Sequence, residues 1–292
     1  MRTLAHVRVP IGQARTLLGL LSTVEEPTKS IVVYFHGFPD LSVHPNEDAP
    51  PAYASRFPRK LEEALAMDLL CVNFSGLPGS DGDASYHSKT LSRELEDARG
   101  IVAYCATELQ KAHVHVVGLS TGAILAACLR DLDHPQLRSI SVVAGIVDAC
   151  AGSKLDFSHD QLTAMRVDGQ CETAFYWPAQ WPLANDCRAD TTSFDATGKV
   201  WRPLARSYVD DMEQLDIAGH VIRGTVPLLI VHGTSDKNVP LEHGAALFAT
   251  AREPKQWLEI KGANHLLSNA KHIKKAFQAI SAHIAHAEVV ES

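Results

Sequence analysis

The chain has 292 residues, 46% of them hydrophobic and 21% charged, with a formal net charge of −7. That balance provides a sizeable core and excludes a disordered chain. There is no lysine- or arginine-rich block, so nucleic acid and anionic membrane surfaces are poor candidate partners, and no apolar run reaches the roughly 18 residues of a transmembrane helix.

The first 24 residues hold Arg2, Arg8 and Arg15 and no acid, a composition shared with transit peptides. AHVRVPI and ARTLLGLLSTV nevertheless read as two strands joined by a turn near Gly12, so the segment is expected to belong to the mature fold. Short apolar runs follow: SIVVYFHG (30–37), LLCVNFSG (69–76), HVHVVGLS (113–120), LRSISVVAGI (137–146), VPLLIVHG (226–233) and KQWLEIKG (255–262). Runs that are nearly all apolar suit parallel strands buried on both faces. Segments of helical spacing separate them at 54–67, 89–108, 121–132, 242–252 and 265–286. The alternation predicts a doubly wound, mostly parallel sheet of eight strands with the opening pair as its antiparallel edge.

Residues 150–206, after the sixth strand, break this rhythm: they carry no clear strand period and are rich in aromatic residues. An interruption of that length inside a compact domain points to function. The segment is expected to be a lid (cap) insertion over the carboxyl edge of the sheet, dividing the core domain into 1–149 and 207–292. RPLARSYVDDMEQLD (202–216) has helical character and leads back to the core. Phe175, Tyr176, Trp177, Trp181 and Trp201 carry two readings, internal packing of the lid or a substrate-facing wall. On the second, Tyr176, Trp177 and Trp181 are candidate substrate-binding residues.

The cysteines Cys71, Cys105, Cys128, Cys150, Cys171 and Cys187 form no C-x-x-C pair, and several lie in apolar runs. Reduced, buried thiols in a cytoplasmic protein are expected.

Gly118-Leu119-Ser120-Thr121-Gly122 joins the strand HVHVV to the helix AILAACLRDL. A serine between strand and helix sits on a sharp turn, and flanking glycines remove side chains that would clash there. Serine is a weak nucleophile and needs a base. His265 follows the last strand in KGANH, and Asp236 follows the preceding one in HGTSDKNVP. The three leave strand ends on one edge of the sheet, in the order Ser, Asp, His. An oxyanion site would need backbone donors. Thr121 N–H opens the helix, and Phe38 N–H lies in the loop His36-Gly37-Phe38-Pro39-Asp40; Pro39 has no N–H to offer.

With HGF, NFSGLPGSDG, GLSTG, PLLIVHGTSDKNVPLE and KGANHLL in place, the chain resembles the α/β-hydrolase superfamily over essentially its whole length. It is most similar to the serine aminopeptidase S33-like and cinnamoyl (feruloyl) esterase-like group. The resemblance implies the α/β-hydrolase fold, hydrolysis of small-molecule esters or related acyl bonds, and no metal or organic cofactor. Leu119 departs from the family, where many members carry histidine. Pro78 departs in the fourth-strand loop and is expected to reshape the pocket wall.

Gly76, Gly79 and Gly82 lack the lysine of a phosphate loop. His113 and His115 share a strand face without an evident third metal ligand. His44, Glu47 and Asp48 read as a solvated rim, and Asp210 and Asp211 as surface residues of a helix. A ligand receptor on the same fold, a peptidase, a thioesterase and a carbon–carbon-bond hydrolase remain alternatives. No acidic cluster for a substrate amino group is visible, which disfavours an aminopeptidase. The oligomeric state is not legible in the sequence.

Overall fold

A computed structural model describes residues 2–45, 47–80, 85–176, 193–194 and 199–289. Trp177, Trp181, Cys187 and Gly82 therefore lie outside the described residues, and Tyr176 is described in its backbone only. The first half of the chain forms β1 (Arg2–Ile11), β2 (Arg15–Val24), β3 (Ser30–Phe35), α1 (Arg56–Ala64), β4 (Asp68–Val72), α2 (Leu91–Thr107), β5 (His113–Leu119), α3 (Thr121–Cys128) and β6 (Leu137–Val143). Then come α4 (Ala149–Asp156), α5 (His159–Asp168), β7 (Gln170–Tyr176), β8 (Ser193–Phe194), β9 (Lys199–Ala205), α6 (Ser207–Met212) and α7 (Ile217–Arg223). The chain closes with β10 (Leu228–Gly233), α8 (Leu241–Thr250), β11 (Lys255–Ile260) and α9 (Ala270–Val289).

Eight strands form one sheet in the order β1-β2-β4-β3-β5-β6-β10-β11. β1–β2 and β2–β4 pair antiparallel, and the remaining pairs are parallel. The opening segment is thus the expected hairpin edge. Strand β3 shows why apolar runs build this sheet. Ile31, Val33 and Phe35 face one core with residues of α2 and α3, while Val32 and Tyr34 face the other with α1 and α9. Both faces are covered, so every second residue is apolar for one layer and its neighbours for the other. Tyr34, Phe57 and Phe277 continue the second core as a ring chain with centroids 5.4 and 5.1 Å apart. Each fully buried side chain of this size contributes roughly 1.5–3 kcal/mol.

From β3 the chain passes to β4 on one side and then to β5 on the other. The order of the strands reverses there, and a crevice opens beyond their carboxyl ends.

The segment between β6 and α6 differs from the sequence expectation. It holds a separate antiparallel sheet of order β7-β9-β8, preceded by two short helices. Asp148 caps α4 by accepting from Ala151 N–H at 3.1 Å, and Ser158 and Gln161 form a capping box at α5. The expected helix 202–216 is corrected too. Residues up to Ala205 pair in β9, and helix begins only at Ser207. The last helix starts at Ala270 rather than 265, because Asn264 to Ser268 form a turn in which Asn264 Oδ1 accepts from Ser268 N–H at 2.9 Å.

Cys71, Cys105, Cys128 and Cys171 are buried and unpaired as expected, whereas Cys150 is unpaired but exposed. His44 is buried, not part of a solvated rim; Glu47 does stand at the surface, 2.7 Å from Arg8. Asp210 is exposed, but half-buried Asp211 accepts from Ser92 N–H at 2.8 Å at the start of α2. His115 bonds Ser139 and, with His113, approaches Glu288 of α9. These two histidines therefore fasten the last helix to the sheet.

Candidate active site

Ser120 sits where β5 turns into α3, with φ 57° and ψ −122°. L-residues rarely occupy that region, and holding one there costs about 1–3 kcal/mol. The surroundings leave little choice. A Cβ on Gly118 would lie 2.1 Å from Gly122 O, and one on Gly122 would lie 2.2 Å from Phe35 O. Only glycine on both sides lets β5, α3 and β3 approach so closely. Ser120 N–H donates to Val143 O of β6 at 3.0 Å, tying the turn to the next strand.

His265 lies in the turn after β11. Its Nδ1 is 2.8 Å from Asp236 Oδ2. A carboxylate only accepts, so Nδ1 carries a proton, and in the neutral form of the ring Nε2 holds the lone pair. Asp236 follows β10, and its side chain is 0% exposed. Its other oxygen accepts from Asn238 N–H and Val239 N–H, both at 2.9 Å. Burial pushes this carboxyl up, but the bonds from His265, Val239 and Asn238 outweigh it and hold the group below its usual range. His232, on β10 and four residues before Asp236, is buried, and its Nε2–H donates to Val239 O at 2.9 Å. It braces the loop that presents Asp236. Burial, the largest influence, lowers the proton affinity of His232, and the bond to Val239 opposes it.

Ser120 and His265 line one cavity of about 650 Å³, with Asp236 behind His265. Gly37, Phe38, Pro39 and Asp40 form a second side of it, and Leu155 and Asp156 of α4 a third. Asp40 N–H donates to Gly37 O at 2.9 Å and closes a turn that leaves Phe38 N–H outside its hydrogen bond. The His36 ring is buried and donates from Nδ1 to Gly37 O at 3.0 Å; burial drives its pKa down to about 3. Thr121 is the first residue of α3, so its N–H has no partner one turn back in the helix. Gly37 lies against Ser120 closely enough that a Cβ there would be 3.0 Å from Ser120 Cβ. The loop after β3 and the start of α3 thus meet at the serine.

Asp40 and Asp156 were not singled out from sequence, because more than a hundred residues separate them. Both carboxyls are raised by burial, Asp156 to about 6, and the His265 charge opposes the rise in each. Thr121 Oγ1 donates to Asp156 Oδ2 at 3.5 Å. Leu119 lines the cavity as well. Pro78 does not, contrary to expectation: its carbonyl accepts from Asn73 Nδ2 at 3.1 Å, inside the fourth-strand loop. Among the described residues, no group of three His, Cys, Asp or Glu is arranged to hold a metal ion.

The chain delivers serine after β5, aspartate after β10 and histidine after β11, the order found in α/β-hydrolases. Residues 32–272 match the model of the alpha/beta hydrolase family, and the chain belongs to that family. Among similar solved structures is Est1E from Butyrivibrio proteoclasticus with ferulic acid bound. It is 16% identical, with a TM-score of 0.67 over 96% of this chain and 98% of that one. The esterase domain of a Rhodothermus marinus protein is 18% identical, with a TM-score of 0.60 over 96% of this chain and 97% of its own. Mouse alpha/beta hydrolase domain-containing protein 10 is 13% identical, with a TM-score of 0.66 over 97% and 99%. At these identities the likeness is one of fold. Among the described residues, no helix is long and apolar enough to cross a membrane.

Proposed function

We propose that the chain is a serine hydrolase that cleaves carboxylic esters of small molecules through Ser120, His265 and Asp236. The observation that carries this reading is the 2.8 Å His265–Asp236 bond beside a serine on a strained turn, both opening on one cavity. Ser120 Oγ attacks the ester carbonyl carbon while His265 Nε2 takes its proton. Asp236 holds the tautomer and stabilises the imidazolium. The developing oxyanion accepts from Phe38 N–H and Thr121 N–H; losing one such donor costs about 10²–10³ in rate. The carbon–oxygen bond to the alcohol then breaks, and the leaving oxygen takes the proton from His265. Water, deprotonated by the same nitrogen, attacks the acyl-enzyme; the bond from the carbon to Ser120 Oγ breaks, Oγ takes the proton back from His265, and the acid leaves.

Residues 150–206 serve as a lid over this site, and the core comprises 1–149 and 207–292. Support comes from α4, whose Leu155 and Asp156 line the cavity, and from Phe157, packed 5.5 Å from the Phe38 ring. Trp177 and Trp181 favour bulky aryl acyl groups in this scheme. The four buried free thiols fit a reducing, cytoplasmic setting.

The test is a panel of aryl esters of increasing acyl length, together with labelling by a fluorophosphonate. Steady multiple turnover and modification at Ser120 are expected. A single slow turnover, or modification elsewhere, would favour a ligand receptor on this fold. Trp177→Ala and Trp181→Ala should lower kcat/KM for a bulky ester more than for an acetate; equal losses would assign those rings to internal packing.

A further inference from the structure

Behind Phe38 lies a buried charge that the reaction scheme leaves unused. Lys89, just before α2, is 2% exposed, and its Nζ is 2.6 Å from Glu94 Oε1, also on a buried residue. The same Nζ stands 5.3 Å from the Phe38 ring centroid, 5.7 Å from that of Tyr86 and 5.8 Å from that of Tyr208. Two ions taken out of water lose hydration that their attraction barely recovers, so such a pair is a poor source of stability. Its distinctive property is what it joins. Phe38 follows β3, Tyr86 stands between β4 and α2, and Tyr208 belongs to α6. The Tyr86 hydroxyl is 2.6 Å from Thr173 Oγ1 of β7, so the cluster also reaches the second sheet.

A cation is drawn to the face of an aromatic ring by the ring's quadrupole. That attraction depends on direction, unlike plain packing, and here it acts on the side chain of the residue proposed above as an oxyanion donor. The field of Lys89 reaches the same loop: after burial, it is the second influence that lowers the proton affinity of His36, adjoining Gly37.

We propose that Lys89, anchored by Glu94, is a positioning residue whose ammonium pins the Phe38 ring and so aims the Phe38 N–H at the substrate oxygen. The proposal rests on the reading of Phe38 N–H as an oxyanion donor. Lys89 touches no reacting atom and acts only through Phe38.

The experiment separates charge placement from stability. Lys89→Met strands Glu94 in the interior and should destabilise the fold. Lys89→Met combined with Glu94→Gln removes both charges at nearly constant volume and should restore the thermal transition. On the proposal, kcat of this double variant on p-nitrophenyl butyrate stays about ten- to a hundredfold below wild type, the scale of a small misplacement of a catalytic group. KM moves less than about threefold, and fluorophosphonate labelling of Ser120 slows in parallel. A double variant with wild-type stability and kcat within about threefold overturns the proposal. Should the double variant fail to fold, Lys89→Arg, which keeps a cation over the rings, is compared with Lys89→Met. Recovered kcat supports the proposal, and a stably folded arginine variant as slow as the methionine one overturns it. Wild-type protein that neither turns over the ester nor labels at Ser120 overturns the underlying esterase reading instead, so the two failures are distinct.

Discussion

The two sides of the cavity are held by different forces. On the β10–β11 side, Asp236 makes three hydrogen bonds of 2.8–2.9 Å, and His232 braces the same loop from beneath. Such bonds fix angles as well as positions, which is what the proposed proton transfer by His265 needs. On the β3 side, Phe38 is held by rings: Tyr208 at 5.0 Å, Phe157 at 5.5 Å and the Lys89 ammonium at 5.3 Å. Ring pairs contribute about 0.5–1.5 kcal/mol each beyond their area. Ring-on-ring packing fixes place firmly and angle softly, and the directional pull of the Lys89 ammonium is the exception on this side. The first side should therefore respond to substitution steeply and the second by degrees.

The largest effect should come from the atom on which both sides converge. Ser120→Ala is expected to remove turnover by about 10⁶-fold while leaving thermal stability near wild type; full activity would dissolve the comparison altogether. Next is the hydrogen-bonded side. Asp236→Asn should cost about 10⁴ in kcat, and adding His265→Ala should cost little more, because the group acts as a unit. Near-wild-type kinetics would mean another carboxylate orients His265. The same substitution should change acid stability. The Asp236 carboxyl is held below its unfolded value, so its contribution is present above about pH 4 and is lost as pH falls through the folded value. The asparagine variant should lack that part of the acid transition.

The ring side predicts a gentler response. Phe157→Leu should lower stability by about 1 kcal/mol and kcat/KM by about three- to tenfold. A loss as steep as that of Asp236→Asn would show that the rings, too, fix an angle. The smallest effect concerns Asp156, whose carboxyl burial pushes up to about 6. A folded value above the unfolded one favours the protonated form, so the wild type loses stability as pH rises through 6. Asp156→Asn should therefore melt roughly 2–4 °C higher at pH 8 and match the wild type at pH 4. An equal gain at both pH values, read by differential scanning fluorimetry, would rule out ionisation as the cause.

How much of this was visible in the sequence follows the same physics. Strands β3, β4, β5, β6 and β10 were legible because burial on both faces makes them nearly continuously apolar, while β1 and β11, at the sheet edges, are partly exposed. The serine corner and its partners were placed by strand ends, which local pattern marks well. The β7–β9 sheet was not legible: its strands are antiparallel and partly exposed, and β8 has only two residues. Residues 202–216 read as one helix because Leu204, Tyr208 and Met212, all buried, recur at helical spacing, although the chain changes from strand to helix between the first two. Lys89, Asp156 and Asp40 escaped because their burial arises from elements distant in sequence, and a lysine or aspartate is ordinarily read as solvated. His232 offered a signal that went unused, a histidine four residues before the aspartate in HGTSD.

The strained turn at Ser120 has a consequence for how the protein can be watched. Its backbone is supported by β3 through Gly122, by β6 through Val143 and by the start of α3. The β3 and β6 contacts come from segments distant in sequence from each other, so the conformation exists only once both strands have docked beside the turn. On the proposed reading, reactivity of Ser120 towards a phosphonate would then be a chemical gauge of tertiary completion. As denaturant rises, it should vanish ahead of the helical circular dichroism whenever the strand ends loosen before the sheet dissolves.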